Sequence, residues 1–405
     1  MTLINKNVIK YLTNYAETET RLLNTFPIDK ICAHVVIIPA YKESITFIER
    51  FFTSALALQN VLVIAVINQP DNDKNHTPQE DLYQQSLALG SVCWQNHNLT
   101  LLCIDETNSL LLLVDRYTVA IPENQGVGLA RKIGADIALK LMSLNLITSR
   151  WLYSSDADAH LPNNYFSSLQ HVDHNCVVSC FNFDHKSDNL AVHQANQLYQ
   201  TALQYYVAGL YYAGSSYTFY TIGSVLAFDG SAYAMARGFP KRSAGEDFYL
   251  INKLAKLGEV QFIVDCKILI EARTSDRVPF GTGPAVSKIL ALQNQGKPYC
   301  YYNPHLFELL KQTLSQFSTL WQYRQNFEKW LEIVPKEVSA SLIKIGLSNF
   351  VAKQANEKKS QFDKQLNVWF DAFKTLKFIH VLREQGYRDM PLSDAIAQAK
   401  FNLIN

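Results

Sequence analysis

The chain of 405 residues has room for one large domain with a smaller one, or for two or three domains of ordinary size. Hydrophobic residues make up 48% of it, which is enough for a substantial core and excludes global disorder. The 37 basic and 36 acidic residues nearly balance, so the marked basic excess of nucleic-acid-binding proteins is absent. We therefore expect a globular protein that binds no nucleic acid.

Cysteine usage and the lengths of the apolar runs indicate the compartment. The seven cysteines include no C-x-x-C pair, and several lie in apolar runs, which is typical of reduced, buried thiols. The N-terminus has no signal-peptide pattern, and no uncharged apolar run is long enough to span a bilayer. We expect a cytoplasmic protein without a transmembrane segment, and a peripheral membrane contact stays open.

Strands and helices are predicted to alternate through the first 180 residues. In chain order, the sequence predicts a leading helix over 3–24, a strand over 34–38, a helix over 43–58, a strand over 61–67, a loop over 69–75 and a helix over 79–90. It then predicts a strand over 99–104, further apolar runs over 109–114 and 117–121, a helix over 128–144 and a strand over 151–155. Such alternation favours an open α/β sheet, whose ligands gather at the carboxyl ends of the strands. Pro39, Asn68 and Asp156 fall just past predicted strand ends, so we expect them on one rim.

The character of the sequence changes after Pro284, where long helical stripes dominate and no convincing strand appears. We therefore expect three parts along the chain. They are an N-terminal helical extension over 1–30, an α/β domain over 31–285 and a helical C-terminal domain over 286–405.

The most informative local pattern is the pair Asp156 and Asp158, which follows an apolar strand. Residues i and i+2 of an extended segment lie on the same side, so the two carboxylates should point together. They would repel each other unless a cation lay between them, and Mg²⁺ or Mn²⁺ is the usual partner of such oxygen ligands. A polar turn without a ligand is the alternative for this pattern alone.

Four local features follow one another in the chain. They are Val-Val-Ile-Ile-Pro-Ala-Tyr-Lys-Glu over 35–43, Asn-Gln-Gly-Val-Gly-Leu-Ala-Arg-Lys-Ile-Gly over 124–134, the aspartate pair, and Gly-Glu-Asp-Phe over 245–248. Together they resemble the family 2 glycosyltransferases of the GT-A fold, and the resemblance covers roughly residues 33–275.

The resemblance implies an α/β fold of the GT-A nucleotide-diphospho-sugar transferase type, with a Rossmann-like mixed sheet and here a helical C-terminal domain. It also implies a metal-dependent, hexosyltransferase-type glycosyltransferase. Such an enzyme moves a sugar from a nucleoside-diphosphate donor to a hydroxyl of a glycan, lipid or small-molecule acceptor. The implied cofactor is Mn²⁺ or Mg²⁺.

The resemblance further assigns roles at the donor site. Pro39 and Ala40 would line the nucleoside pocket, with Tyr41 beside the base and Glu43 near the ribose. Asp158 would ligate the metal directly, and Asp156 would lie near the ribose or a metal-bound water. At the next strand many relatives carry an Asp-rich turn that contacts the base. This chain has Asn68-Gln69-Pro70 there, which leaves the base unassigned.

The segment around Gly126 and Gly128 has two interpretations. As a dinucleotide fingerprint it lacks the third glycine, because Arg131 stands at that position. We therefore expect the small residues to let the backbone pass close to the donor, with Arg131 or Lys132 facing a phosphate. A solvated helix face is the alternative for these two cations.

Asp247 lies at the predicted N-terminus of a helix, where the macrodipole favours an ionised carboxylate, so we expect a lowered pKa. The resemblance implies that Asp247 is the catalytic base, and Glu246 could bind acceptor hydroxyls. Further on, Arg277 lies in a segment over 272–283 that is rich in Gly and cations. This segment is interpreted either as a lid over the diphosphate, with Arg277 neutralising the leaving group, or as a plain linker.

The Asp247 assignment favours direct displacement with inversion. A retaining GT-A enzyme is the alternative, and such enzymes often add a downstream His as a metal ligand; only His305 and His380 follow Asp247 here. A second alternative is a non-catalytic nucleotide- or glycan-binding protein on a degenerate GT-A scaffold. The Gln-x-x-Arg-Trp signature of processive synthases is absent from the sequence.

Overall fold

The computed structural model describes residues 6–273 and 281–403. The chain divides into two compact units. The first unit comprises Met1–His193 and Thr221–Pro284, and the second comprises Gln194–Tyr220 and Ala285–Asn405. Arg277 lies outside the described residues, so its predicted role stays a prediction.

Ten strands belong to the first unit and two short ones to the second, counted over the described residues. They are β1 His34–Ala40, β2 Val61–Pro70, β3 Ser91–Asn96, β4 Leu99–Cys103, β5 Leu110–Ile121, β6 Trp151–Ser154, β7 Ala159–His160, β8 Cys176–Lys186, β9 Leu226–Asp229, β10 Glu259–Glu271, β11 Cys300–Tyr301 and β12 Met390–Pro391.

The α-helices run along the chain as α1 Lys6–Asn14, α2 Thr46–Phe52, α3 Thr77–Leu87, α4 Gly126–Ser143, α5 Leu190–Ala213, α6 Gly230–Met235, α7 Glu246–Leu254, α8 Thr282–Asn294, α9 His305–Leu320, α10 Phe327–Leu331, α11 Lys336–Lys344, α12 Leu347–Gln354, α13 Lys359–Trp369, α14 Ala372–Glu384 and α15 Leu392–Gln398. Short 3-10 helices lie at Thr18–Thr25, Ala55–Leu58, Ser167–Leu169, Gly223–Val225 and Trp321–Tyr323.

The sheet of the first unit has the order β3-β4-β5-β2-β1-β6-β9-β8-β10-β7. Its centre is parallel, because β1 pairs with both β2 and β6 and β2 pairs with β5 in the same direction. The strands β9, β4 and β7 run antiparallel to their neighbours, which makes the sheet mixed. The continuous apolar runs of β1 and β2 suit strands that are covered on both faces. The predicted α/β class is confirmed.

The carboxyl ends of β1 and β2 differ from the prediction. Pro39 and Ala40 are the last residues of β1, paired with β2 and buried, rather than residues past its end. Asn68 likewise lies inside β2, because β2 keeps pairing with β5 as far as Pro70. The loop that we placed at residue 69 therefore begins later, after Pro70.

Helix α4 packs on β1 and β2. A Cβ on Gly134 would lie 2.4 Å from the Cγ2 atom of Ile37, so only glycine permits this close approach. The N-terminal segment is tied to the same helix, since the Tyr11 hydroxyl donates to Asp136 over 2.6 Å. Within the described residues, the predicted helix over 3–24 is divided into α1 and the 3-10 helix Thr18–Thr25, and a separate N-terminal extension over 1–30 stays a prediction.

The second unit is mainly helical over its described residues. Its core contains the fully buried side chains of Phe307, Trp330 and Phe362. Residues 194–220 also belong to it, which the sequence did not indicate, and β11 and β12 add a two-stranded pairing. Within the described ranges, no helix has the length and apolar character to cross a bilayer.

Candidate active site

The turn that follows β6 carries Asp156 and Asp158, and backbone hydrogen bonds fix it on both sides. The Ser155 N–H donates to the Ile37 carbonyl of β1 over 3.0 Å. The Glu271 N–H at the end of β10 donates to the Asp158 carbonyl over 2.9 Å. The turn is therefore anchored to two strands of the sheet, which holds both aspartates at the carboxyl end of β6.

Arg50 of α2 also binds this turn. Its Nη2 atom donates to the carbonyls of Ala157 over 2.7 Å and Ala159 over 3.2 Å. Its Nη1 atom contacts Glu271 Oε1 over 2.9 Å and the His160 ring over 3.1 Å. No pattern in the sequence predicts this role, because Arg50 lies more than a hundred residues before the turn.

Arg131 of α4 is a buried cation shared by two carboxylates. Its Nη2 atom donates to Asp156 Oδ1 over 2.6 Å, and its Nε atom donates to Glu246 Oε1 over 2.9 Å. Its Nη1 atom reaches Ser154 Oγ and the Ser155 carbonyl. The side chain is only 4% exposed and its charge is directed at these protein groups, whereas the predicted contact with a donor phosphate stays a prediction. It instead joins the turn after β6 to the first residue of α7.

Burial alone would lower the pKa of the Arg131 guanidinium, but the Asp156 and Glu246 carboxylates raise it above its ordinary value. The group is therefore a permanent positive charge. Gly223 makes room for it, because a Cβ at that position would lie 2.4 Å from Arg131 Nη2. Lys132, the other cation predicted to face a phosphate, is buried too, and its Nζ donates to Asp136 over 2.8 Å.

The start of α7 presents two neighbouring acids. Gly245 precedes them in the left-handed region, with φ at 72°, a conformation that glycine adopts at little cost. The Glu246 side chain is 6% exposed and pairs with Arg131. The Asp247 side chain accepts the Phe248 N–H over 2.7 Å.

Burial raises the pKa of the Asp247 carboxyl to about 7, and the neighbouring Glu246 adds to that rise. The Phe248 N–H and the Arg131 guanidinium lower the pKa, but by less. Our prediction of a lowered pKa is therefore wrong. A helix N-terminus favours the anion by about 0.3–2 kcal/mol, whereas desolvation shifts a buried carboxyl by up to several pKa units.

The two glycines at the start of α4 pack against protein backbone. A Cβ on Gly128 would lie 2.4 Å from the Pro240 carbonyl oxygen, and one on Gly126 would lie 2.8 Å from the Ser243 Cα. The Gly128 N–H also donates to the Arg242 carbonyl over 2.9 Å. The glycines thus dock α4 onto the segment that leads into α7, and their predicted closeness to the donor stays a prediction.

Arg273 links Glu43 to the aspartate turn. Its two Nη atoms contact both carboxylate oxygens of Glu43, over 3.0 and 2.5 Å. Its Nη2 atom also lies 3.4 Å from Asp158 Oδ2. Arg273 belongs to the cation-rich segment over 272–283, in which the sequence singled out only Arg277.

Tyr41 contacts the carboxylate of Asp73, which lies in the loop after β2. Its hydroxyl donates to Asp73 Oδ2 over 2.6 Å, and Lys42 Nζ lies 2.9 Å from the same oxygen. The Tyr41 hydroxyl, an adjacent backbone N–H and Lys42 keep the pKa of Asp73 well below its usual range. On β2, Asn68 is buried, and its Oδ1 atom has no hydrogen-bond partner among the described residues.

Few side chains of the described site can act as metal ligands. In the described parts of the chain, no group of three or more His, Cys, Asp or Glu side chains could hold an ion. Mg²⁺ and its relatives commonly use only one or two carboxylates together with substrate phosphates and water. Asp158 fits such a site, whereas Asp156 is already bound by the buried Arg131. Each aspartate contacts a different arginine, Asp156 Arg131 and Asp158 Arg273, and a cation shared by both aspartates stays a prediction.

No family model matches the chain, and no curated protein sequence matches it. Solved structures with a partial similarity include S. aureus TarS 1-349 with UDP-GlcNAc, at 11% identity and a TM-score of 0.38 over 92% of this chain and 96% of that one. The mannosyltransferase PcManGT from Pyrobaculum calidifontis, with GDP-Man and Mn²⁺, has 12% identity and a TM-score of 0.36 over 91% and 94%. GalNAc-T7 with UDP, GalNAc and Mn²⁺ has 11% identity and a TM-score of 0.35 over 65% and 48%. With all three TM-scores below 0.5, the chemistry of this chain has to be argued from its own residues.

Proposed function

We propose that this chain is a GT-A glycosyltransferase of family 2 type that transfers a sugar from a nucleoside-diphosphate donor to an acceptor hydroxyl. The observation that carries the proposal is the buried Arg131, which binds the turn of Asp156 and Asp158 and also the start of α7. The acidic turn and the candidate base Asp247 are thereby held around one fixed charge. A displacement reaction that releases an anionic group needs both parts.

In this proposal Asp247 removes the proton of the acceptor hydroxyl while the hydroxyl oxygen bonds to the anomeric carbon of the donor. The bond from that carbon to the diphosphate oxygen breaks in the same step, and the anomeric configuration inverts. A general base works best when its pKa lies near the working pH, and burial brings the pKa of Asp247 to about 7.

The donor would lie at the carboxyl ends of β1 and β2, where we place Tyr41 and Asn68 beside the base and Glu43 near the ribose. Asp158 would hold Mn²⁺ or Mg²⁺ together with phosphate oxygens of the donor. The ion would neutralise charge that develops on the departing diphosphate. Asp156 keeps its place through Arg131, and Glu246 is held by the same group, which leaves Asp247 as the acid available for proton transfer.

The first experiment is a thermal-shift panel of UDP-, GDP-, ADP- and CDP-sugars, each with and without Mn²⁺. A bound ligand stabilises the folded state in proportion to its occupancy, so one donor class should raise the Tm, and more so with the metal. The same donor should then be hydrolysed slowly when no acceptor is present. If no nucleotide sugar is bound, the proposal fails.

Asp247→Asn separates an enzyme from a binding protein. The variant should keep the donor-induced Tm shift while hydrolysis and transfer fall by roughly 100-fold or more, the usual contribution of a general base. Asp188→Asn is the matched control, because Asp188 is an exposed acid of the same unit. Donor binding with no turnover in the unmodified chain would favour the non-catalytic alternative.

A further inference from the structure

Arg273 contacts two carboxylates, and one of them, Asp158, is the proposed ligand of the cation. It forms a bidentate pair with Glu43 and approaches Asp158 Oδ2 to 3.4 Å. The Glu43 and Asp158 side chains are 12% and 20% exposed, so their charges are only partly screened by water. The Arg273 guanidinium supplies positive charge to both of these partly buried carboxylates.

The two arginines of the site are held very differently. Arg131 is 4% exposed and uses all three of its nitrogens in hydrogen bonds. Arg273 is 38% exposed, and its Nε atom has no hydrogen-bond partner among the described residues. Its contact with Asp158 is also longer than either carboxylate contact of Arg131. The Arg273–Asp158 contact is thus the one that can be exchanged at least cost.

We propose that Arg273 is the internal counter-ion of Asp158 and competes with the divalent cation for that carboxylate. The inference rests on the proposed function, because it assumes that Asp158 is the metal ligand. An ion that binds Asp158 takes the place of the Arg273 guanidinium, which stays attached to Glu43.

Competition follows from simple electrostatics. A guanidinium 3.4 Å from Asp158 Oδ2 repels any cation that approaches the same oxygen. Two unit charges about 4 Å apart interact by about 1 kcal/mol even in water, and more where water is partly excluded. Removal of the Arg273 charge should therefore tighten Mn²⁺ binding by about 5-fold or more. Arg273→Lys keeps the charge and should bind Mn²⁺ like the unmodified chain.

The test measures Mn²⁺ binding by the full chain through electron paramagnetic resonance, with MnCl₂ as the only added ligand. Arg273→Gln should bind Mn²⁺ more tightly than the unmodified chain, and Asp158→Asn should abolish the gain when the two changes are combined. Arg150→Gln is the matched control, since it removes one positive charge at the opposite end of β6. Its Mn²⁺ affinity should not change.

Several results would overturn the inference. They are an Arg273→Gln variant with unchanged or weaker Mn²⁺ binding, an Arg273→Lys variant that binds as tightly as Arg273→Gln, and an unmodified chain and variants that all fail to bind Mn²⁺. Circular dichroism and thermal unfolding establish that each variant is folded. If donor binding and turnover persist while Arg273→Gln has no effect on Mn²⁺, only this inference fails. The loss of all donor binding in the unmodified chain would instead contradict the proposed function.

Discussion

Replacement of Arg131 by methionine tests the central claim about the site. Methionine fills similar space but leaves the Glu246 carboxylate, at 6% exposure, without a counter-charge. Removal of one partner from a buried ion pair costs about 3–5 kcal/mol. Loss of the Arg131 contact with Asp156 adds little to this free-energy cost, because the Asp156 side chain is 31% exposed and water can screen its charge. We therefore expect the free energy of unfolding of the first unit to fall by about 3–5 kcal/mol.

Thermal unfolding followed by calorimetry measures this loss. For a unit of this size, 1 kcal/mol corresponds to about 2–4 °C, so the Tm should fall by roughly 6–20 °C. Hydrogen exchange of the α4 and α7 amides reports on the first unit separately from the second. Lys344→Met is the control, because Lys344 and Glu384 form an ion pair that is 59% and 65% exposed. Its effect should stay within about 1 kcal/mol.

A second substitution distinguishes a stranded charge from lost packing. Adding Glu246→Gln to Arg131→Met removes the unpaired carboxylate, so the double variant should be more stable than Arg131→Met alone. Two results would refute the buried-pair argument. One is a double variant whose loss in free energy of unfolding equals the sum of the losses of the two single variants. The other is an Arg131→Met variant whose free energy of unfolding lies within about 1 kcal/mol of that of the unmodified chain.

Four further predictions concern Asp247, Gly223 and Tyr11. Because a base must be deprotonated, turnover should rise with pH through about 7, the pKa of Asp247. The raised pKa also means that the folded chain loses stability as the pH rises from about 4 to about 7, so Asp247→Asn should raise the Tm more at pH 8 than at pH 5. Gly223→Ala should lower the Tm more than Gly230→Ala, since a Cβ on Gly223 would meet the Arg131 guanidinium at 2.4 Å, whereas a Cβ on Gly230 would meet the flexible end of Met142 at 3.0 Å. Tyr11→Phe removes a hydrogen bond to a buried carboxylate of α4 and should lower the free energy of unfolding by about 1.5–3 kcal/mol in urea titrations.

The elements that could be predicted are those whose signal is local. Long apolar runs in the sequence mark β1 and β2, and an apolar stripe at helical spacing marks α4. The positions of these elements therefore follow from the pattern within a short window of residues. Gly245 followed by two acids likewise marks the start of α7. The ends of β1 and β2 were placed too early, because pairing with a neighbouring strand extends a strand beyond its apolar core.

The electrostatics of the site could not be read in the same way. Arg131 was visible as a cation on a helix, but its partners lie 25 and 115 residues further along the chain. The helix dipole at Asp247 can be inferred from sequence, whereas the burial that outweighs it depends on the packing around α7. Arg50 and Arg273 carry no local signature, since each acts on a turn that is remote in sequence.

The unequal burial of the two arginines gives the two aspartates of the turn different roles. Asp156 is bound to a guanidinium that water cannot reach, so exchange of that partner would strand a buried charge on Arg131. Asp158 contacts the Arg273 guanidinium, which is more than a third exposed. This guanidinium stays paired with Glu43 when its contact with Asp158 is broken. The first pair can therefore set the geometry of the turn, and the second can respond to a ligand. A shared cation between two equivalent carboxylates would need both pairs to open, which the burial of Arg131 opposes.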